Sequence, residues 1–428
     1  MGRSDTIDIM LIFIRIFFVG FLIFAGSFAG AQEELSWEDC LHEAAKNHPD
    51  LIAAQEEVVQ EQAAKTITRS SALPQITSDL NVAASNSTSS GASNAFSYGV
   101  SGSQLLFDGF KTVNNVKAAS ENIKAARENF RFTSAAVRLR LRTAFIDLLK
   151  AQELLNLTQE IYKIRKDNME LISLRYQSGT EHKGALLTAQ ANLSEASFEI
   201  SQAQRGVEVA RRQLIKELGR AEFSLVSVKS NFEVSDAVLE KPDFVSLAQK
   251  NPSLLKIMAQ KNAADFDAKA STGDFWPDVS MTGDVSKSDS HWPPIDRDTS
   301  VGLRFSLPLF EGGERAARVT QANSVYRQRQ QQERSTKDSV VLNLEQDWSD
   351  LRDAVEKVNV QQDFLNAVEE RARISEQQYA IGRISFDDWT IIEDDLVRNK
   401  KSFLDAQTNA LLAEANWIQA KGETIEYE

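Results

Sequence analysis

The sequence predicts a mainly α-helical protein built as two tandem repeats, with paired β-strands placed between long helices. Three observations lead to this fold class. Short anchor motifs recur in one order at a constant separation of 203 residues. Segments of strand-like alternation stand between them, and two stretches of more than 60 residues contain neither proline nor glycine. A constant separation over most of a chain indicates duplication of one structural unit.

The first segment, residues 1–31, is predicted to be a secretory signal peptide. An uncharged, mainly apolar run follows Arg15, and a small-residue site at Ala29 to Ala31 precedes Gln32. The run is too short for a helical membrane span, which needs about 20 apolar residues. Met10 is an alternative start that keeps this run. Either start predicts an exported chain that begins near Gln32.

Four pairs of anchors define the duplication. Each member lies 203 residues from its partner, and the pairs are Pro49 and Pro252, Pro74 and Pro277, Phe107 and Phe310, and Tyr176 and Tyr379. Gly179 and Gly382 follow the tyrosines at the same separation. The mature chain therefore divides into repeat 1, residues 32–230, and repeat 2, residues 231–428.

Each repeat is expected to contain three helices. The first runs from about Ser36 to Ala72, and its copy from about Pro242 to Phe275, each ended by a proline. The second begins at Phe110 or Glu314 and continues without a break to the tyrosine anchor. At 1.5 Å per residue it is roughly 100 Å long. A final helix of about 35 residues follows the glycine of each turn.

Two strands are expected between the first and second helices of each repeat. Apolar residues alternate with Asp, Ser, Thr and Asn after Pro74 and after Pro277, and polar loops are expected at residues 86–94 and 288–298. Such alternation fits a membrane strand or a half-buried strand of a soluble sandwich. The export signal favours the membrane strand. Four strands cannot close a barrel, so two chains would have to supply about 8 strands, or three about 12.

A strand-to-helix junction follows the second strand of each repeat. Phe107 and Gly109 in one repeat, and Phe310 and Gly312 in the other, stand where alternation changes to helical spacing. Glycine permits the abrupt change of backbone direction. Aromatic residues favour the membrane interface. The junctions are therefore predicted to mark the point where the chain leaves the membrane and enters an aqueous helical barrel.

Composition excludes several classes of function. The net charge of −13 argues against nucleic acid as a partner, because phosphate binding needs clustered Lys and Arg. The four histidines are scattered, and no HExxH, CxxC or glycine-rich phosphate loop is present. We therefore expect no enzyme activity, no metal site and no cofactor. Cys40 is the single cysteine, which rules out an intrachain disulfide.

The duplicated proline-ended helix, the paired strands, the LFDG and LFEG junctions and the YxxG turns together resemble the TolC-type outer membrane efflux proteins. The resemblance implies a homotrimer with a 12-stranded barrel in the outer membrane of a Gram-negative bacterium and a helical tunnel across the periplasm. It implies an exit duct for a tripartite efflux pump or a type I secretion system. The partners would be a periplasmic adaptor protein and an inner-membrane transporter of the RND, ABC or MFS type.

The resemblance also implies roles for the turns. The inner turn would close the tunnel at the periplasmic tip, through Tyr379, Gly382, Arg383, Asp387 and Asp388. The outer turn would contact the adaptor, through Tyr176, Gly179 and Lys183. Two positions depart from the family's pattern. Ile384 replaces the gate arginine, and Ile391 stands where a second acid occurs.

Several alternatives stay open at this level. Asp387 and Asp388 form either a cation-attracting ring around a threefold axis or a solvated helix start. A trimeric coiled-coil adhesin with a small barrel anchor, or a soluble exported helical protein, would share the long helices. Drugs, metals, polysaccharide and proteins are all possible substrates.

Overall fold

The computed structural model describes residues 33–87, 91–232 and 240–425. The predicted signal peptide, residues 1–31, lies outside the described residues. In chain order the elements are β1 (Glu33–Leu35), α1 (Trp37–Asn47), α2 (Pro49–Ser70), β2 (Gln75–Ser87), β3 (Gly91–Phe107), α3 (Lys111–Gln177), α4 (Lys183–Leu218), β4 (Val226–Val228), α5 (Phe244–Lys250), α6 (Pro252–Gly273), β5 (Asp278–Asp289), β6 (Asp296–Ser306), α7 (Glu314–Ala380) and α8 (Phe386–Ala420). Within those three ranges, none of the helices combines the length and apolar character needed to cross a membrane.

Helices dominate the fold, and corresponding elements recur at the predicted separation. The long helices α3 and α7 each contain 67 residues, and α2 and α6 each contain 22. The two hairpins share one register, because the pairing of Gln75 with Ser103 recurs as Asp278 with Ser306. Residues of one half can therefore be matched to the other half position by position.

The prediction of one continuous helix at the start of each repeat was wrong. Both helices are interrupted, at His48 and at Asn251, which have extended backbones with ψ near 123° and 129°. Each interruption precedes a proline, whose ring disfavours a helical conformation in the preceding residue and which then begins the next helix. The side chains of His48 and Asn251 cap these new helices by accepting from Asp50 N at 3.1 Å and Ser253 N at 2.9 Å.

A four-stranded antiparallel sheet has the order β2-β3-β5-β6. Its register separates the residues into two chemically different faces. The first face carries Ile76, Leu80, Val82, Phe96, Tyr98, Val100, Val279, Met281, Val285, Val301, Leu303 and Phe305. The second carries Thr77, Asp79, Asn81, Ser97, Ser101, Ser103, Asp278, Thr282, Asp284, Asp296, Asp298, Ser300 and Arg304. Apolar side chains on the first face are largely exposed in the single chain, as Val301 is at 81%.

The predicted loops between the strands were too long. The loop expected at residues 86–94 is mostly strand, since β2 continues to Ser87 and β3 begins at Gly91. The loop expected at 288–298 also loses residues to β5 and β6 at its two ends. The small polar residues of these segments led to the loop prediction. They also fit a β-strand that has one face in water, because that face favours polar side chains.

A second, two-stranded sheet was not predicted. β1 pairs in parallel with β4, so the beginning of repeat 1 lies against the segment that follows α4. Arg220 holds the two together through Nη1 to Glu33 at 2.8 Å and Nε to Glu43 at 2.5 Å. Beneath this sheet lies a core in which Cys40 is fully buried, and burial raises the pKa of its thiol to about 12.

The long helices are packed very unequally. Helix α3 contacts α2 and α4 of its own half and α6 and α8 of the other, and its buried residues begin at Ala118. Helix α7 contacts α5, α6 and α8, and its first buried residue is Val340. In the single chain, none of the first 26 residues of α7 is fully buried.

The junction at Gly109 depends on the absence of a side chain. Its φ is +65°, and a Cβ atom there would lie 2.5 Å from the carbonyl oxygen of Gly273. Gly179 has a similar φ of +76°, but a Cβ atom there would meet nothing within 4 Å. Substitution of Gly179 therefore tests backbone strain alone, whereas substitution of Gly109 tests backbone strain together with a steric clash.

We expect Gly109→Ala to destabilise the protein more than Gly179→Ala. Both variants place a non-glycine residue in the left-handed region, at a cost of about 1–2 kcal/mol. Only Gly109→Ala also forces α6 away from the junction. Thermal unfolding of the two variants in mild detergent measures the difference. Equal losses in melting temperature would show that the close approach to Gly273 is unimportant.

Candidate functional site

Two glycine turns form the end of the helical part. One joins α3 to α4 at Gly179, and the other joins α7 to α8 at Gly382, where φ is +74°. In the first, Thr180 N donates to Arg175 O at 2.9 Å, and in the second Arg383 N donates to Gln378 O at 2.8 Å. These bonds, with a left-handed glycine, end both helices in the same Schellman pattern.

The anchor tyrosines have opposite environments. Tyr379 is 2% exposed, and its ring stacks on Trp389 with centroids 4.5 Å apart and planes 4° apart. Phe386 completes this aromatic cluster, edge-on to Tyr379 at 6.5 Å. Tyr176, the counterpart in the first turn, is 39% exposed. Only the second turn is therefore anchored by packed rings.

Polar contacts join the two turns to each other. The hydroxyl of Tyr379 donates to Glu181 Oε2 at 2.7 Å, and Arg175 Nη1 donates to the carbonyl oxygen of Tyr379 at 3.0 Å. The Arg175 guanidinium also lies 4.5 Å from the Tyr379 ring centroid. Burial and the adjacent carboxylate raise the pKa of Tyr379, so the phenol stays protonated and donates. Tyr379, Arg175 and Glu181 therefore form a latch between the turns.

Ion pairs continue this connection along α8. They link α8 to α3 and α4 and are Arg165 with Asp394 at 2.5 Å, Lys400 with Glu160 at 2.6 Å, Lys401 with Glu199 at 2.6 Å and Lys150 with Asp405 at 2.6 Å. Partly exposed pairs of this kind contribute about 1 kcal/mol or less each. We therefore expect the latch and the packed rings, and not these ion pairs, to fix the position of the two turns relative to each other.

One carboxyl group at the tip is buried. Glu393 is 7% exposed on the side of α8 that packs against α3. Burial raises the pKa of Glu393, against the opposing effects of Arg165 and a hydrogen bond from Asn168. Its ionised form is therefore unfavourable in the folded protein.

The other predicted residues of the inner turn lie at the surface. Arg383, Asp387 and Asp388 are exposed, and the two acids occupy the first turn of α8. Ser385 caps this helix, accepting from Asp388 N at 3.1 Å and donating to its carboxylate at 2.7 Å. Within one chain these acids stabilise a helix start. A ring of carboxylates requires further copies.

The outer turn presents an open surface. Tyr176, Gly179 and Lys183 are all exposed. His182 caps α4, because its Nδ1 accepts from Ala185 N at 3.1 Å. Among the described residues, no group of three or more His, Cys, Asp or Glu side chains could hold a metal ion.

The two strand-to-helix junctions differ in packing. Phe107 is half-buried against Phe110, with ring centroids 5.6 Å apart. Phe310 is 90% exposed, and Gly312, with φ at +60°, has open space around it. The first junction lies between the two halves of the chain, whereas the second lies at its edge.

Four residues of the latch and the aromatic cluster were missed by the sequence analysis: Arg175, Glu181, Phe386 and Trp389. The rings of Tyr379, Phe386 and Trp389 lie 7 and 3 residues apart across the turn, an aromatic spacing that can be seen in the sequence. Nothing local to Glu181 or Arg175 predicts their bonds, because the partner lies about 200 residues away.

Comparison with known proteins identifies the family. The profile of the family described as outer membrane efflux protein matches residues 40–220 and 245–423. The chain belongs to this family. The resemblance drawn from the anchors is therefore confirmed, and the family is one of channel proteins.

Individual relatives are distant but extensive. Outer membrane efflux protein BepC of Brucella suis is 22% identical over 385 residues, covering 89% of this chain and 84% of BepC. Alkaline protease secretion protein AprF of Pseudomonas aeruginosa is 24% identical over 228 residues, covering 51% of this chain and 47% of AprF. The crystal structure of the outer membrane protein VceC of Vibrio cholerae has the same fold, with a TM-score of 0.78 at 16% identity over 90% of this chain and 96% of VceC.

Replacing Trp389 by alanine should loosen the tip. Truncation of a buried tryptophan typically costs about 3–5 kcal/mol. Ile391→Ala is the matched control, because Ile391 is 59% exposed two residues further along the same helix. Limited proteolysis at the inner turn, together with thermal unfolding, measures the effect. Similar behaviour of the two variants would contradict an anchoring role for the aromatic cluster.

Replacing Glu393 by glutamine should stabilise the protein at neutral and higher pH. Because the folded-state pKa of Glu393 is raised above 4.5, its ionisation costs stability progressively as pH rises above that value. The melting-temperature gain of Glu393→Gln should therefore be larger at pH 8 than at pH 4.5. Glu170→Gln, on the exposed side of α3, should show no such change. A loss of stability at pH 8 would mean that the ionised form is the favoured one.

Proposed function

We propose that this chain forms a trimeric outer-membrane channel that is the exit duct of a tripartite efflux pump or a type I secretion system. In this proposal residues 1–31 direct export, and repeats 1 and 2, residues 32–230 and 231–428, alternate around the trimer. The observation that carries the proposal is the four-stranded sheet. It has one exposed apolar face, one polar face and two edges without partners among the described residues.

The two faces suit two different solvents. Towards the loop that joins β5 to β6, the apolar face also carries the charged residues Lys287, Asp289 and Arg297. Its apolar remainder would be unfavourable in water, whereas lipid accommodates it. The polar face, with Asp79, Asp284 and Asp298, requires water. A sheet between lipid and water is a barrel wall, and its edges must pair because lipid offers no hydrogen-bond partners. Three copies would provide 12 strands, in agreement with the resemblance to the family.

Aromatic residues support the position of the membrane. Near the loop that joins β5 to β6, the ring centroid of Trp292 lies 6.4 Å from that of Tyr98. At the opposite end of the sheet, near the helices, Trp276 is 60% exposed. Along β3, Tyr98 and Phe107 are separated by about 30 Å at 3.3 Å per residue. A strand tilt of about 40° reduces this separation to about 23 Å, close to the apolar band of a membrane barrel. Phe107 and Phe310 would then lie at the interface, as the sequence suggested.

The tip would act as the gate. Opening of the inner turn would break the latch between Tyr379 and Glu181 and displace Gly382, Arg383, Asp387 and Asp388 from the axis. The outer turn, with Tyr176, Gly179 and Lys183 exposed, would be free to receive a periplasmic adaptor. An inner-membrane transporter would provide the energy. The name of BepC favours efflux and that of AprF favours protein secretion, so both systems are included.

The adhesin alternative fits the strand positions poorly. A surface coiled coil with a small barrel anchor would have its strands at one end of a single long helix. Here the strands stand between the helices of both halves, before α3 and before α7. Each long helix therefore continues directly from a strand of the sheet, so that a barrel and a helical tunnel built from them would form one continuous channel.

Conductance across a planar lipid film tests the proposed function. The purified full-length protein should form discrete ion channels. Tyr379→Phe removes the hydroxyl that donates to Glu181 and should raise the mean conductance or open probability several-fold. Tyr176→Phe is the control, since its ring is exposed. Absence of channels would overturn the proposed function, and equal conductance of the two variants would overturn the latch as its gate.

The acids of the inner turn should bind cations only if they form a ring. Asp387→Ala combined with Asp388→Ala should weaken the block of channel current by divalent cations, because three copies of each charge are removed from the constriction. Asp167→Ala combined with Glu170→Ala removes the same charge from exposed positions on α3. Unchanged block in the first double variant would assign Asp387 and Asp388 to helix stabilisation alone.

A further inference from the structure

Two cationic side chains lie directly opposite each other on the apolar face of the sheet. Lys287 of β5 pairs with Arg297 of β6, and the same cross-strand row includes Tyr98 of β3. The rows of this face between that pair and the pair of Val279 with Phe305, near the helices, contain no charged residue. On this face, charge therefore begins at the row of Lys287 and Arg297.

Neither cation is paired with an acid inside the described part of the chain. Lys287 and Arg297 form no ion pair and no side-chain hydrogen bond with another described residue. Asp289, on the same face, accepts from two groups of the turn that follows it, at 3.1 and 3.3 Å. Asp296 and Asp298, the neighbours of Arg297 along β6, lie on the opposite face. Directly opposed like charges, with Cβ atoms about 5 Å apart, destabilise a pair of strands. This arrangement therefore favours binding of an anion that both cations can reach.

The duplication shows that the sheet does not require these two charges. At the separation of 203 residues, Lys287 corresponds to Ala84 and Arg297 to Asn94, which are also directly opposed in the first hairpin. The two hairpins have the same register. An uncharged pair therefore occupies the same position of the fold, so the role of the two cations lies outside the pairing of the strands.

The two cations lie at the level where a membrane barrel meets lipid headgroups. Lys287 is separated from Val279 by eight residues along β5, and Arg297 from Phe305 by eight residues along β6. Eight residues of an antiparallel strand span about 27 Å, which a tilt of about 40° reduces to about 21 Å. This height approaches that of the apolar band, at whose ends basic residues cost little. Trp292, 60% exposed, lies at the same end of the sheet.

We propose that Lys287 and Arg297 bind a phosphate group of a phosphorylated glycolipid, lipid A, in the outer leaflet of the membrane. The inference rests on the proposed channel, because it requires the apolar face to lie in an outer membrane with the helices on the periplasmic side. In such a membrane the outer leaflet consists mainly of lipid A, a diglucosamine that carries both phosphates and acyl chains.

The chemistry of this glycolipid matches the surface. A phosphate has oxygens enough to accept from an ammonium and a guanidinium together, and such charge-assisted hydrogen bonds are among the strongest in proteins. The exposed rings of Tyr98 and Trp292 combine an apolar body with a polar edge, which fits the boundary between headgroup sugars and acyl chains. The uncharged rows nearer the helices then contact the acyl chains.

Native mass spectrometry of the purified full-length protein in mild detergent tests the site, with bisphosphorylated lipid A as the probe. Lys287→Ala combined with Arg297→Asn installs the residues of the first hairpin. This double variant should bind the probe roughly 25-fold more weakly, because each cation near an anionic lipid surface raises the affinity roughly fivefold. Arg304→Asn is the control, since it removes a cation from the polar face of β6 and should leave binding unchanged.

The unaltered protein supplies a test that needs no variant. It should bind lipid A without phosphates as weakly as the double variant binds the probe. Equal affinity for the two forms of lipid A, or equal binding by the double variant and the Arg304→Asn variant, would overturn the site. Displacement of the probe by excess inorganic phosphate would assign the two cations to a free phosphate and would also overturn the lipid.

Conductance separates this inference from the proposed function. The double variant should form channels like those of the unaltered protein, because both substitutions lie on the outer face of the sheet. Channels that conduct without phosphate-dependent binding of lipid A would overturn the lipid site and leave the channel standing. Absence of channels in the unaltered protein would overturn the proposed function and the lipid site together.

Discussion

Backbone hydrogen bonding at the two edges of the sheet is the constraint on which the rest of this fold depends. Lipid supplies neither donors nor acceptors, so a strand edge that enters a bilayer must be paired. β2 and β6 have no such partner within the described chain. The helices show a related feature, because none of the first 26 residues of α7 is fully buried in the single chain. In the proposed channel, a further copy of the duplicated unit would complete both the sheet edges and the surface of α7.

The sequence predicts the elements of this fold well because their periods are long and regular. Uninterrupted helical spacing defines α3 and α7 to within a residue or two, and alternation defines the sheet. The break before Pro49 was missed because helical spacing continues on both sides of it. β1 and β4 have three residues each, too few for any period to be recognised.

The site divides along the same lines. Gly179 and Gly382 could be found because a left-handed residue at a helix end strongly favours glycine, which leaves a mark in the sequence. The latch could not, since the hydrogen bond from Tyr379 to Glu181 exists only because α8 packs back along α3. Carboxylates such as Asp388 serve a helix start and a pore lining equally well, and their sequence context does not choose between them.

Tyr176 and Tyr379 show how the two copies of a duplicated turn can take different roles. Both turns keep the same backbone bonds, yet one ring is packed against Trp389 and the other faces solvent. In the proposed channel, turns of these two kinds would alternate around the periplasmic opening. The turn at Gly382 would move when the tunnel opens, whereas the turn at Gly179 would stay in place and hold a neighbouring protein.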